Sequence, residues 1–329
     1  MTTTLRPPGD KSISHRVLLL AGLARGASRV RNLLDAADVR STASVLRGLG
    51  AEVPQDWSGT VELPGGARYR DASGPLDCGN SGTTARLTAG LVAGLGRAAV
   101  LDGDASLRGR PMDRVVYPLQ AMGARIRYEG ERGRLPIAIA SRASGSLRTL
   151  RHRPRVASAQ VKSCLLLAGL ASGTRVEVVE PGRSRDHTER LLAAMGAPLR
   201  FGPEGEGARA TLEPADGRPS LEPLELRVPG DPSSAAFLVA AALLAGRALR
   251  VEEVGLNPTR TGFLEVLRRM GARVTVRETG EEGGEPVGEL EVEPSELAGA
   301  EVPPEAVPRL LDEVPVLAAL VQEAGDRLR

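Results

Sequence analysis

The sequence predicts an α/β protein in which one structural unit is used repeatedly. Three observations carry that prediction. An apolar helix ends four times in the same signature: Leu-Arg-Gly-Leu-Gly-Ala at 46–51, Leu-Gln-Ala-Met-Gly-Ala at 119–124, Leu-Ala-Ala-Met-Gly-Ala at 192–197 and Leu-Arg-Arg-Met-Gly-Ala at 267–272. The signature glycines Gly50, Gly123, Gly196 and Gly271 are 73, 73 and 75 residues apart. Between the signatures, Leu- and Ala-rich stretches with helical spacing alternate with short β-branched runs, as expected of helices packed on sheets. At 329 residues the chain has room for more than one core, so two domains are expected.

Each unit follows one order. It opens on an apolar helix that stops at glycine, over 17–26, 87–96, 165–173, 237–246 and again 316–325. Glycine just past an apolar periodic run is a helix stop. A β-branched strand follows, as at 175–179 and 248–254. A second amphipathic helix then runs into the Gly-Ala signature, with apolar positions on one face as at Leu264, Leu267 and Met270. Another strand comes next, at 51–53, 125–128 and 273–276. The Gly- and Glu-rich stretch 277–289 is expected as an exposed hairpin turn, and 200–227 as short strands that close the third unit. Val228-Pro229-Gly230-Asp231-Pro232 reads equally as a domain boundary or an ordinary loop. On this reading four units are complete and a fifth stops inside its first helix.

Composition narrows the function classes. Apolar residues make up 41% and charged residues 26%, which fits a soluble globular protein. No run of about 18 uncharged apolar residues predicts a membrane span, and no signal-peptide pattern opens the chain, so a cytoplasmic protein is expected. Cys78 and Cys164 are expected as free thiols. A formal charge of +2 gives no basic footprint for nucleic acid. The 43 basic residues include only two lysines, Lys11 and Lys162. Where nearly every cation is arginine, a surviving lysine marks a position that needs a compact point charge, or a surface position left by chance. Context favours the first reading for Lys11 more than for Lys162.

Several helix starts carry more than capping requires. Pro8-Gly9-Asp10-Lys11-Ser12-Ile13-Ser14-His15-Arg16 combines a flexible glycine, capping serines and two cations at a helix N-terminus, which attracts anions. It lacks the Gly-Lys pair and leading glycine of a P-loop. A site for a doubly anionic small molecule accounts for that density of donors better than a solvated basic helix start. Gly79-Asn80-Ser81-Gly82-Thr83-Thr84-Ala85-Arg86, Ala157-Ser158-Ala159-Gln160-Val161-Lys162-Ser163 and Gly230-Asp231-Pro232-Ser233-Ser234 open the equivalent helices. Capping explains the Ser and Gly residues, but not Lys11, Arg16 and Gln160. If these N-termini converge, their dipoles create a strong anion field. Arginines also precede helices in Leu107-Arg108-Gly109-Arg110-Pro111-Met112 and Arg183-Ser184-Arg185-Asp186-His187-Thr188. Leu311-Asp312-Glu313-Val314-Pro315 places two carboxylates where caps or dipole partners usually sit. His15, His152 and His187 lack metal-ligand spacing, so no metal site is expected, and no Ser-His-Asp signature occurs.

Six of these motifs carry a resemblance that covers essentially the whole chain. Pro-Gly-Asp-Lys-Ser-Ile-Ser-His-Arg, Gly-Asn-Ser-Gly-Thr, Gly-Arg-Pro-Met, Ser-Ala-Gln-Val-Lys-Ser, Ser-Arg-Asp-His-Thr-Glu and Asp-Glu-Val-Pro stand in the order found in the 5-enolpyruvylshikimate-3-phosphate synthase family, which the chain resembles. The resemblance implies transfer of the enolpyruvyl group of phosphoenolpyruvate to the 5-hydroxyl of shikimate 3-phosphate, with release of phosphate, in the pathway to chorismate and aromatic amino acids. It implies a two-domain fold of βαβαββ units with a cleft between the domains: 12–227 with three units, and 1–11 plus 228–329 as a second, incomplete domain. It also implies a cytoplasmic monomer whose partners are its two small substrates, without cofactor, metal, nucleic acid or membrane.

Carried over by motif, Lys11 lies between both substrates and is catalytic together with Asp312, which contacts the reacting hydroxyl and accepts its proton. Lys11, Ser12, Arg16, Ser158, Ala159, Gln160, Arg185 and Asp312 would bind shikimate 3-phosphate, and Lys11, Gly82, Arg110 and Gln160 phosphoenolpyruvate. Gly82, where glyphosate-insensitive relatives can carry Ala, implies inhibition of the complete protein by glyphosate. The family continues beyond the fifth helix with a Lys-Glu-Ser-Asp-Arg run and a further unit; 321–328 only loosely echoes that run, and no role falls to Glu323 or Arg327. These residues alone are therefore expected not to turn over, being part of a longer enzyme or else a shortened binding-only or inactive homologue. The related UDP-N-acetylglucosamine enolpyruvyl transferase opens on Lys-Asn rather than Lys11-Ser12, and Cys78 is not set like its reactive cysteine. An RNA-end cyclase of similar units would need a histidine near its C-terminus.

Overall fold

The four signatures form the same helix stop. Gly50, Gly123, Gly196 and Gly271 adopt φ of 94°, 96°, 74° and 90°. The alanine after each glycine returns its N–H to the signature leucine: Ala51 to Leu46, Ala124 to Leu119, Ala197 to Leu192 and Ala272 to Leu267, at 2.9–3.0 Å. That pair of features is the Schellman stop, in which a left-handed residue lets the chain satisfy the last helical carbonyls. At Gly196 an added Cβ meets nothing closer than Glu222 at 3.9 Å, so only the backbone conformation opposes a side chain. Gly196→Ala is expected to cost about 1–2 kcal/mol, read as a lower urea midpoint with an unchanged slope.

The computed structural model describes residues 2–142, 147–215, 217, 219–303 and 306–323. The elements in chain order are β1 (Thr3–Leu5), α1 (Lys11–Ala21), β2 (Ser28–Arg31), α2 (Ala37–Gly48) and β3 (Thr60–Leu63). Then come β4 (Leu76–Asp77), α3 (Gly82–Leu95), β5 (Ala99–Asp102), the single turn α4 (Ala105–Arg108), α5 (Asp113–Ala121), β6 (Ile126–Tyr128) and β7 (Ile137–Ile139). They are followed by β8 (Leu150–His152), α6 (Ala159–Ser172), β9 (Val176–Glu180), α7 (His187–Ala194), β10 (Leu199–Glu204) and β11 (Gly207–Leu212). The remaining elements are β12 (Glu225–Arg227), α8 (Pro232–Leu244), β13 (Leu249–Gly255), α9 (Gly262–Arg269), β14 (Arg273–Glu282), β15 (Glu285–Glu293) and α10 (Val314–Glu323). None of these helices is long and apolar enough to cross a membrane.

The chain divides into two compact units, Lys11–Leu226 and Met1–Asp10 with Arg227–Arg329. In the larger unit the sheets run β12-β2-β3, β4-β5-β7-β6 and β10-β11-β9-β8. The second and third share one pattern: a parallel pair (β4 with β5, β8 with β9), then an antiparallel hairpin added beside it. Helices α3 and α6 are almost wholly buried, including Leu87, Leu91, Leu165 and Leu166. An added Cβ at Gly90 would come within 2.0 Å of the Cys164 carbonyl oxygen, and one at Gly94 within 2.6 Å of that of Ala168. Glycine at both positions lets the two backbones touch. The smaller unit repeats the sheet pattern as β1-β13-β15-β14, with β1 parallel to β13. Its core gathers Phe263, Leu264, Leu267, Val251, Leu290, Leu317 and Leu320.

Three expectations need correction. No strand forms at 51–53. The Val53 and Pro54 carbonyls instead accept bonds from the Arg47 guanidinium at 2.8 and 2.7 Å, and Pro54 also from Trp57 Nε1 at 2.9 Å. Side chains thus take carbonyls that a ladder would use. The stretch 277–289 is not a turn alone, because β14 and β15 pair through it to Glu282↔Glu285, with a register shift between Glu278 and Gly280. The apolar helices start five or six residues earlier than their hydrophobic runs, at Lys11, Gly82, Ala159 and Pro232. Side-chain caps set two of those starts: Ser81 accepts the Thr84 N–H, and Asp231 accepts the Ser233 N–H. The stop expected at Gly325 lies outside the described residues, as does most of the run 321–328.

Candidate active site

Within the larger unit, the N-terminal halves of several helices are joined by hydrogen bonds. His15 Nδ1 lies 2.7 Å from Thr42 Oγ1, which lies 2.7 Å from Thr84 Oγ1, tying α1 to α2 and α3. Arg16 donates from Nε to Thr188 Oγ1 at 2.6 Å, from Nη2 to Ser163 Oγ at 2.9 Å and from Nη1 to the Ser12 carbonyl at 2.8 Å. It is 4% exposed. The guanidinium therefore braces the starts of α1, α6 and α7 as well as adding charge there. Lys11, by contrast, is half-exposed, with Nζ 3.3 Å from Asp38 Oδ2 on α2. Ser12 is partly buried one residue on.

The start of α3 faces that of α6. Arg86 donates from Nη1 to Gln160 Oε1 at 2.8 Å and from Nη2 to the Pro111 carbonyl at 3.0 Å. Gln160 Nε2 in turn donates to Thr83 Oγ1 at 3.1 Å. Arg110 reaches Asn80 Oδ1, whose amide nitrogen is held by Asp104 Oδ2 at 2.6 Å. Buried Gly82 sits between the two arginines. A Cβ there would lie 2.6 Å from Arg86 Nη1 and 3.4 Å from Arg110 Nη1. Burial holds the Arg86 guanidinium below its ordinary range, and the like charges of Arg114 and Arg110 push the same way. Such a crowd of cations is relieved by an anion, and guanidinium forks suit carboxylate and phosphate oxygens. A groove of 890 Å³ along Ala72, Ala99, Ile126 and Ile139 is mostly apolar and lined by none of these groups.

Ser158 precedes α6 and donates its N–H to Glu180 Oε1 at 2.7 Å; Ala159 and Gln160 form the helix's first turn. Arg185 is half-buried in the loop before α7. The structure thus gathers Lys11, Ser12, Arg16, Gly82, Arg110, Ser158, Ala159, Gln160 and Arg185 on helix starts and adjoining loops of one unit. Asp312 belongs to the other unit, exposed on a 3-10 turn, Leu311–Glu313. Its neighbour Glu313 is buried, 2.5 Å from Ser233 Oγ and 3.8 Å from Arg260 Nη2. Arg260 also pairs with Asp10 at 3.0 Å and Asp231 at 3.4 Å.

Arg86 was not among the expected binding residues, although it stands one helical turn after Gly82 on the same face, which is the signal that could have found it. The partners of Lys162 had no such signal, since Glu180 and Glu189 lie 18 and 27 positions away. Cys78 and Cys164 are free and buried, and burial pushes both thiols up to about 12. Neither offers a nucleophile. Among the described residues no His, Cys, Asp and Glu group is arranged to hold a metal ion.

The chain is similar to known proteins over nearly its whole length. Residues 1–328 match the family model for EPSP synthase (3-phosphoshikimate 1-carboxyvinyltransferase). A 3-phosphoshikimate 1-carboxyvinyltransferase of Thermus thermophilus is 50% identical over 319 residues, covering 96% of this chain and 72% of the relative. The protein of the same name from Granulibacter bethesdensis is 46% identical over 327 residues, covering 98% and 71%. The solved EPSP synthase of Acinetobacter baumannii superposes with a TM-score of 0.86 at 37% identity, covering 97% of this chain and 71% of that one.

Proposed function

Because the chain belongs to the EPSP synthase family, we propose that it serves transfer of the enolpyruvyl group of phosphoenolpyruvate to the 5-hydroxyl of shikimate 3-phosphate. The observation that carries the reading is the Arg86–Gln160–Arg110 arrangement around Gly82, a cationic recess in which a Cβ on Gly82 would press on the Arg86 guanidinium. Two anionic substrates need such a field. Lys11, Ser12, Arg16, Ser158, Ala159, Gln160 and Arg185 hold shikimate 3-phosphate in this proposal. Gly82 and Arg110, with Lys11 and Gln160, receive phosphoenolpyruvate.

The chemistry is addition followed by elimination. The 5-hydroxyl oxygen bonds to C2 of phosphoenolpyruvate while its methylene carbon takes a proton, giving a tetrahedral ketal that keeps the phosphate. Loss of a methyl proton then re-forms the double bond as the C–O bond to phosphate breaks. Asp312, assigned on its motif, accepts the hydroxyl proton, and Lys11 offers a cationic donor to the oxygens that gain charge. A cytoplasmic location is part of the proposal, supported by the two free buried thiols, and a monomeric state is carried over from the family resemblance.

Calorimetric titration with shikimate 3-phosphate tests the reading directly. Saturable binding to the purified chain is expected, and a flat titration overturns the proposal. Phosphate release from phosphoenolpyruvate that requires shikimate 3-phosphate is the signature of turnover and separates it from binding alone.

A further inference from the structure

We propose that Glu180 is a positioning residue for shikimate 3-phosphate, and that Lys162 is lysine because it must hold Glu180 and Glu189 together. The inference rests on the functional reading above and adds residues that no binding motif assigns. Lys162, Glu180 and Glu189 form a buried trio, their side chains 3%, 0% and 2% exposed. Lys162 Nζ lies 2.7 Å from Glu180 Oε2 and 2.8 Å from Glu189 Oε1. A buried ion cluster is weak evidence for stability, since desolvation offsets its attraction. What it holds in place is the better question.

Glu180 does more than pair with lysine. Its Oε1 accepts the Ser158 N–H at 2.7 Å, and Ser184 Oγ lies 2.8 and 3.0 Å from its two oxygens. One carboxylate, at the end of β9, therefore anchors two segments. The first leads into Ser158, Ala159 and Gln160, and the second carries Arg185. Both belong to the proposed shikimate 3-phosphate set. Glu189, on the first turn of α7, fixes the ammonium from the other side.

Lysine suits this place. An ammonium is a compact point charge that reaches both carboxylates at nearly equal distance, 2.7 and 2.8 Å, whereas a guanidinium spreads its charge over a larger planar fork, as Arg260 does among Asp10, Asp231 and Glu313. This accounts for a lysine in a chain that writes almost all its 43 basic residues as arginine. Burial opposes the charge on Lys162, but Glu189 and Glu180 outweigh it and hold the ammonium above its ordinary range. Burial pushes the Glu189 carboxyl up.

A simple staple of α6, β9 and α7 would affect all ligands alike, whereas a positioning residue acts on one. Glu180→Gln keeps an oxygen for the Ser158 N–H but removes the charge that Lys162 and Ser184 meet. The Kd for shikimate 3-phosphate is expected to rise about tenfold, as for loss of a charge-assisted bond. With shikimate 3-phosphate saturating, the affinity for phosphoenolpyruvate should change less than about twofold. If the unchanged chain binds no shikimate 3-phosphate, the functional reading falls and this inference with it. If the unchanged chain binds but E180Q binds equally well, or loses both ligands alike, only the inference falls. S184A leaves the trio intact and carries the test should E180Q fail to fold. About threefold weaker shikimate 3-phosphate binding supports the proposal, and unchanged affinity overturns it.

Discussion

Arg86→Met is expected to weaken phosphoenolpyruvate binding, measured with shikimate 3-phosphate present, by roughly 100-fold, or about 3 kcal/mol. The effect combines two losses. The site loses a buried cation whose Nη1 stands 2.6 Å from where a Gly82 side chain would begin. Gln160 Oε1 and the Pro111 carbonyl also lose their donor, which leaves Gln160 oriented by its Thr83 bond alone. Arg86→Lys should recover part of the affinity, because one ammonium keeps the charge but does not serve both acceptors in the same geometry. Titration calorimetry on the two variants checks the order Arg, Lys, Met. Equal affinities for the unchanged protein and Arg86→Met would show that the recess is not the anion site.

The largest stability effect is expected at Gly90. An alanine Cβ would lie 2.0 Å from the Cys164 carbonyl oxygen and 2.8 Å from its carbon, and both atoms are backbone. No rotamer change relieves that contact, so α3 and α6 must separate and lose the fit of Leu87, Leu91, Leu165 and Leu166. Gly90→Ala should cost roughly 3 kcal/mol or more, at the upper end of overpacking effects. Gly280→Ala is the control: nothing lies within 4 Å of its added Cβ, and a change within about 0.5 kcal/mol is expected. Urea midpoints of the two variants decide the matter. A Gly90→Ala protein as stable as the control would mean that the helices do not pack at this distance.

Sequence legibility followed the range of the interactions. The stops at the Gly-Ala signature were readable because their bonds join residues five apart, as from Ala51 to Leu46, whereas α1 ends at Ala21 rather than at the expected Gly26. The strand expected at 51–53 was not, because Arg47 takes the Val53 carbonyl and, with Trp57, that of Pro54, a preference that alternation of residue types does not record. The binding motifs were visible as clusters of small and basic residues, but their postures were not. Arg16 looks the same in sequence as a cation displayed to solvent, yet it is buried against Ser163 and Thr188, 147 and 172 positions away.

By itself, the sequence determined the repeated signature, the α/β alternation and the helix starts on which the chemistry sits. Each is set by contacts within a turn or two of chain, where residue type dictates geometry. Tertiary structure alone decided that Arg86 closes over Gly82 onto Gln160, and that Lys162 is clamped between Glu180 and Glu189. Those groups meet only after α3, α6, β9 and α7 have packed, and burial then makes each unpaired charge too costly to leave unmatched.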